Sequence, residues 1–318
     1  MKRRIFNAAL VAASALSTLR AWADEPPRFD TLEFDWADQK RQRAVPVRLY
    51  WPSAASASTV PLVVFSHGIG GSRRGYSYLG QHWASHGIAS LHLQHVGSDR
   101  NLWFGNPLGL VGRLQDAAQE REAIERPRDL SFALDQLLAS PLGERIDARC
   151  IVAAGHSYGA NTTLLAAGAR VERDGKHVDL RDERLSAAVV LSAPPFYGER
   201  EPARILGPVQ LPTLHITATG DVIRIPGYWS GAEDRIAVFE AIGSKHKALA
   251  VFEGGSHSMF TDRPGTGGTE LNPRVKVATK ELSLAFLQAS FGQGSARAVA
   301  LCAERHREII AKFDGVLA

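Results

Sequence analysis

Apolar residues fall along this chain in two rhythms. Residues 62–65, 185–191, 211–217 and 247–252, together with Cys150-Ile151-Val152-Ala153-Ala154, are short and nearly continuous, the pattern of strands buried on both faces of a parallel sheet. Residues 88–96 form a further strand, and residues 31–36 and 45–50 flank the charged turn 38–43 as an opening antiparallel hairpin. Between these runs the spacing becomes helical. Residues 76–86 and the small-residue stretch 160–169 are helices, and Pro127 stands in the first turn of an amphipathic helix carrying Leu130, Ala133, Leu134 and Leu137. Pro273 opens a long helix through Val275, Leu282 and Phe286, and residues 296–313 read as a terminal one. Strand and helix alternate throughout, which predicts one α/β domain over residues 24–318, without internal repeat or second domain.

One junction in this pattern carries chemistry. The apolar run ending at Ala154 passes through Gly155-His156-Ser157-Tyr158-Gly159 straight into a helix. A serine hydroxyl becomes a useful nucleophile when a sharp strand-to-helix turn projects it toward a base, and glycines two before and two after let strand and helix meet closely. Ser157 is therefore the candidate nucleophile. Such a turn needs three companions: an oxyanion loop before it, then a carboxylate and a histidine after it, each past the C-terminal end of a strand.

All three have candidates. Strand 62–65 runs into Ser66-His67-Gly68-Ile69-Gly70-Gly71, so the backbone amides of Ile69 and Tyr158 are the candidate oxyanion hole; one such donor contributes about 3 kcal/mol to transition-state stabilisation. Strand 211–217 closes in Ala218-Thr219-Gly220-Asp221, which makes Asp221 the candidate acid, whereas Asp174, Asp179 and Asp182 sit in a charged, solvated excursion over residues 172–184. Strand 247–252 is followed by Glu253-Gly254-Gly255-Ser256-His257, which makes His257 the candidate base; His215 lies within a strand and His246 before one. Strand 185–191 ends in Ser192-Ala193-Pro194-Pro195 and offers no carboxylate.

Other residues refine the picture. Trp103 and Phe104, in the loop 101–107, are candidates for a substrate wall or lid. His82 and His86 share a helix face at zinc-ligand spacing, but no H-E-x-x-H glutamate lies between them, and His92 and His95 point to opposite faces; no metal site and no cofactor are expected. The loops 194–200, 223–229 and 261–272 border the expected pocket.

Composition constrains partners. Lys2, Arg3 and Arg4 precede the apolar run 5–16, and Ala21-Trp22-Ala23 has the form of a cleavage site, so residues 1–23 read as a secretory signal and the protein as exported, periplasmic or secreted, by a general or a twin-arginine route. The apolar run is too short for a stable membrane anchor. The chain holds 37 basic and 33 acidic residues; without the four basic residues of the leader the balance is even, which removes the argument for a nucleic-acid partner. Cys150 and Cys302 admit either a disulfide or two separate thiols, and the oligomeric state is open.

With these motifs, the chain resembles the α/β-hydrolase superfamily over nearly all of residues 24–318. Within it, Phe65-Ser66-His67-Gly68-Ile69-Gly70-Gly71 followed by Ala84-Ser85-His86-Gly87 is similar to the bacterial relatives of platelet-activating-factor acetylhydrolases and to the group labelled predicted dienelactone hydrolases, and more distantly to polyester-cleaving cutinase-like enzymes. The resemblance implies a mostly parallel eight-stranded sheet flanked by helices, and hydrolysis of a small-molecule ester or lipid-like substrate. The acetylhydrolases place the acid one strand earlier than Asp221, and true dienelactone hydrolases use a cysteine where Ser157 stands. The expected activity is carboxylic ester hydrolysis through an acyl-enzyme on Ser157, with Asp221 and His257. A serine peptidase on the same fold is the alternative, distinguished by parallel ester and amide substrates; a silent binding module would be expected to lack a triad member.

Overall fold

A nine-stranded mixed sheet runs through the molecule, and the continuous apolar runs are its centre. This computed structural model describes residues 29–53, 59–173, 175–225 and 227–316; the leader read at residues 1–23 lies outside them. The chain opens with β1 (Phe29–Asp38), β2 (Arg43–Pro52), β3 (Val60–Ser66), α1 (Ser77–Ser85) and β4 (Ala89–Leu93). There follow α2 (Leu110–Ala117), α3 (Glu120–Leu138), β5 (Ile146–His156), α4 (Tyr158–Ala166), the hairpin β6 (Val171–Arg173) and β7 (Lys176–Val178), and β8 (Leu185–Leu191). The last third holds α5 (Pro202–Leu206), β9 (Thr213–Ala218), the hairpin β10 (Ile223–Ile225) and β11 (Tyr228–Ser230), α6 (Ala232–Ala241), β12 (Lys247–Phe252), α7 (Leu271–Ser290), α8 (Arg297–Arg305) and β13 (Ile310–Val316).

The sheet order is β1-β2-β4-β3-β5-β8-β9-β12-β13; the strands from β4 to β12 run parallel, and the flanking pairs are antiparallel. Side chains alternate across a strand. Val63 and Phe65 therefore face a layer built by Leu79 and Trp83 of α1, Leu282 and Phe286 of α7 and Val299 of α8. Leu62 and Val64 face the opposite layer, with Leu130, Leu134 and Leu137 of α3. Each fully buried side chain of this kind contributes about 1.5–3 kcal/mol.

Topology places the crevice. After β3 the chain goes to β4 on one side, and then returns through α3 to β5 on the other. Loops leaving the C-terminal ends of two strands at such a reversal turn to opposite faces and leave an opening between them. The segments that border it are the loop after β3 and the turn after β5, which carry Ile69 and Ser157.

Two expectations are corrected and one open alternative is decided. The sheet has nine strands and not eight, because the terminal helix stops at Arg305 and Ile310–Val316 then pairs antiparallel with β12. The helix is capped at His306, the chain turns back with the Ile309 amide on the His306 carbonyl, and Gly315, at φ 127°, sits against the Lys247 carbonyl where a Cβ would collide. Pro127 lies well inside α3, which begins at Glu120. The missing amide donor there is offset by ion pairs that fasten this turn to the opening hairpin: Arg41 to Glu125 and Asp129, and Arg43 to Glu122 and Asp129. The two cysteines are free, Cys302 packed in the α7–α8 layer and Cys150 within β5 beside Asp147.

The junction of β5 and α4 depends on its glycines. A Cβ at Gly155 would run into the Gly159 carbonyl, and one at Gly159 into the carbonyl of Ser66 at the end of β3. Gly159→Ala should therefore force β3, β5 and α4 apart and destabilise the protein by about 1–3 kcal/mol. Urea denaturation checks this, and an unchanged midpoint would show that the strands close without the contact.

Candidate active site

Ser157 occupies the turn between β5 and α4 with φ 56° and ψ −122°, a region that side-chain-bearing residues avoid. The conformation is held from both sides: the Ser157 amide donates to the Leu191 carbonyl at 2.9 Å, and the Ser157 carbonyl accepts from the Ala160 amide at 2.8 Å. Its hydroxyl lies 2.7 Å from His257 Nε2, and His257 Nδ1 lies 2.7 Å from Asp221 Oδ1. The three residues are separated by 64 and 36 positions in sequence and meet at the C-terminal edge of the sheet, past β5, β9 and β12.

Asp221 is fully buried. Burial alone would raise its pKa, but the hydrogen bond and charge of His257 and the charge of Arg235 outweigh it, and the carboxyl is held well below the usual carboxylate range. Its Oδ2 also accepts from Thr217 Oγ1 at 2.8 Å and from the Ser192 hydroxyl, while Arg235 stands 3.4 Å from Oδ1. Ser192, Thr217 and Arg235 were not singled out from sequence. Ser192 occupies the place after β8 noted for lacking a carboxylate; here it supplies a hydroxyl to the acid on the next strand.

A second set of contacts ties the loop after β3 to His257. Burial drives the His156 imidazole down to about 3, so the ring is neutral. A carbonyl oxygen only accepts, so His156 Nε2–H donates to the His257 carbonyl at 2.9 Å, and Nδ1 accepts from the Tyr76 hydroxyl at 2.8 Å. The Tyr76 oxygen in turn accepts from the Gly68 amide at 3.3 Å. One chain of hydrogen bonds therefore runs from the residue before Ile69 to the backbone of His257. The identity of His156 within the Gly-x-Ser-x-Gly string was the only sequence signal for it.

Arg126 is the third element that sequence reasoning missed. Fully buried, with burial lowering its pKa only to about 10, it keeps its charge at neutral pH. It donates to the His67 carbonyl, to Ser98 Oγ at 2.7 Å and to Thr162 Oγ1 at 2.8 Å, and its guanidinium lies 4.5 Å from the Tyr158 ring centroid. Tyr158 and the loop carrying Ile69 are thus held by one side chain. Below it, His95 donates from Nδ1 to Asp129 at 3.0 Å and accepts from Ser66 Oγ at 3.0 Å.

Two cavities meet at Ser157. One, of about 320 Å³, is walled mainly by apolar side chains, among them Ile69, Leu114, Leu165, Pro194, Phe196 and Tyr228, and includes Tyr158. The other, of about 560 Å³, contains His257, Gly68 to Ser72, Trp103, Arg100, Arg224 and Arg263. Ile69 and Ser157 border both. Trp103 lines the second cavity and donates from Nε1 to the Gly70 carbonyl at 2.8 Å, whereas Phe104 is 62% exposed, lies under the Arg100 guanidinium and lines neither. The excursion 172–184, expected to be purely solvated, contributes the β6–β7 hairpin, whose Val171 and Arg173 border the first cavity. The His82 and His86 rings pack tilted against one another, with His86 Nδ1 on the His82 carbonyl at 2.7 Å. Among the described residues, Glu281 of α7, Cys302 of α8 and His306 just beyond it bring three donor atoms within 4.8 Å of one another, away from both cavities.

The strand order, the elbow after β5 and the crevice at the β3/β5 reversal define an α/β-hydrolase fold. Residues 54–100 match the family described as platelet-activating factor acetylhydrolase, isoform II. A ferulic acid esterase from Streptomyces cinnamoneus shares the fold with a TM-score of 0.64 at 22% identity, over 91% of this chain and 98% of that one. A cold-adapted esterase from an Arctic intertidal metagenomic library, solved in complex with PEG, aligns with a TM-score of 0.51 at 18% identity, over 74% of this chain and 88% of that one. No curated protein matches the sequence.

The buried histidines make the fold sensitive to acid. Burial lowers His92, His156 and His215 to about 3, and His67 and His95 well below their ordinary value. Above pH about 6.5 these rings are neutral folded or unfolded; below it only the unfolded chain takes up protons, so stability falls by up to about 1.4 kcal/mol per pH unit for each ring until the folded pKa is reached. Urea midpoints should drop steeply between about pH 6.5 and 4.5. A flat profile across that window would contradict the neutral, buried assignment.

Proposed function

We propose that this protein is a serine hydrolase of carboxylic esters, working through an acyl-enzyme on Ser157. The observation that carries the reading is the unbroken line from the Ser157 hydroxyl through His257 to a buried Asp221, at 2.7 Å for each step, on a strained elbow open to two cavities. His257 Nε2 removes the serine proton as the oxygen attacks the ester carbonyl, and the imidazolium that forms is stabilised by Asp221. The backbone amides of Ile69 and Tyr158 receive the oxyanion. His257 then returns the proton to the leaving alcohol, and a water molecule, activated by the same ring, releases the acid. The chemistry uses protein groups only. The esterases that share this fold, and the acetylhydrolase family matched at residues 54–100, support an ester as the substrate.

Ser157→Ala should abolish turnover of p-nitrophenyl esters and covalent labelling by a fluorophosphonate probe, and Asp221→Asn should lower kcat by roughly 10⁴-fold. A variant lacking the serine hydroxyl that still released nitrophenol in a burst would end the proposal. Tyr76→Phe removes the hydroxyl between Gly68 and His156, so kcat should fall about tenfold, the value of one hydrogen bond, with KM shifting less than about twofold. Steady-state kinetics separates the two parameters; a change confined to KM would place Tyr76 in binding instead.

A further inference from the structure

The two cavities at Ser157 differ in charge, and their placement relative to His257 assigns them to different halves of the ester. The leaving alcohol must lie where His257 can protonate it. His257 lines the larger cavity and not the smaller, so the alcohol belongs with Arg100, Arg224 and Arg263, and the acyl group with the apolar walls beside Tyr158.

On the alcohol side, the wall carries three guanidiniums against one carboxylate, Asp262, whose Oδ2 already accepts the Ser77 amide at 3.0 Å. The other titratable groups there are uncharged or already engaged: His257 with Ser157 and Asp221, and the buried His156 and Tyr76 with one another. None of the three arginine side chains forms an ion pair among the described residues; Arg100 packs against Phe104, its guanidinium 5.9 Å from the ring centroid. Other arginines around the site are paired with carboxylates, Arg173 on the acyl side with Glu120 and Glu199, Arg73 and Arg74 with Glu33, Arg41 and Arg43 with Asp129, while the buried Arg126 is spent on hydroxyls and a carbonyl. The three come from separate segments, the loop after β4, the β10–β11 hairpin and the loop after His257, and converge on one opening. An opening lined by one sign of charge concentrates ligands of the other, and planar guanidiniums suit carboxylate oxygens.

We infer that the preferred substrates are esters whose alcohol half bears a carboxylate and whose acyl half is apolar. The inference rests on the ester-hydrolase reading and narrows it. The acyl cavity of about 320 Å³ holds a medium chain or a single ring.

The test uses 4-carboxyphenyl butanoate and its neutral match 4-carbamoylphenyl butanoate, at pH 7.5. The carbamoyl group withdraws electrons at least as strongly as the carboxylate, so leaving-group chemistry alone favours the neutral ester. The ratio of kcat/KM, anionic over neutral, should exceed about five at low salt and fall toward one at about 0.5 M NaCl. Arg224→Glu with Arg263→Glu should bring the ratio below one, and Arg224→Gln with Arg263→Gln should bring it near one. A mirror pair, phenyl 4-carboxybutanoate and phenyl 4-carbamoylbutanoate, moves the charge to the acyl half and should show no anionic preference. Turnover of the neutral esters with a ratio at or below one, a ratio insensitive to the double variants, or a preference only in the mirror pair would overturn the inference and leave the hydrolase reading intact. Turnover of no ester, with no fluorophosphonate labelling of Ser157, would overturn both.

Discussion

Ser157 sits in a backbone conformation that costs of order 1–3 kcal/mol, and the neighbouring structure exists in the form that keeps it there. Gly155 and Gly159 let α4 descend onto β5 and the end of β3 without a Cβ between them. The Ser157 amide is anchored to Leu191 on the adjacent strand, so the strain is resisted by the central sheet and not by a loop. Loosen that contact and the hydroxyl no longer points at His257. The packing of small residues at one junction is thus the mechanical basis of the site.

Electrostatics supplies the second constraint. Asp221 has no exposed surface, and a carboxylate so placed stays ionised only because Ser192, Thr217, Arg235 and His257 converge on it from different elements. The same logic recurs beneath the loop carrying Ile69, where Arg126 and the Asp129–His95–Ser66 series fix backbone that would otherwise be free to move. Neutral buried histidines join these groups without adding charge: His156 links the Tyr76 hydroxyl to the His257 backbone. Preorganisation of this kind spares the reaction the cost of orienting its dipoles while charge develops.

The acid lies after β9 and not after β8, and the difference has a structural counterpart. The β8 position holds Ser192, which at φ 52° turns its hydroxyl to Asp221. Both strand ends therefore meet at one carboxylate, which stands on β9 while β8 contributes a donor to it. The two cavities follow from the same arrangement. The apolar one opens toward α4 and the β6–β7 hairpin, and the arginine-lined one toward the loops after β3, β4 and β12.

Much of this was legible along the chain because it depends on local rules. Continuous apolar runs mark strands covered on both faces, Gly-x-Ser-x-Gly between a strand and a helix marks the elbow, and Asp221 and His257 each stand just past a strand. What the linear pattern left out is whatever depends on long-range pairing. Residues 310–316 became a strand because the edge of β12 offered unpaired backbone groups, a partner invisible to helical periodicity. Pro127 sits within a helix because ion pairs to a hairpin more than eighty residues away outweigh its lost hydrogen bond. Arg126, Tyr76 and Ser192 carry no motif, and their roles arise only where three strand ends and a helix converge. Sequence by itself determined which groups are available for chemistry; tertiary packing decided which of them are desolvated, paired and aimed, since burial and distance are properties of the folded chain alone.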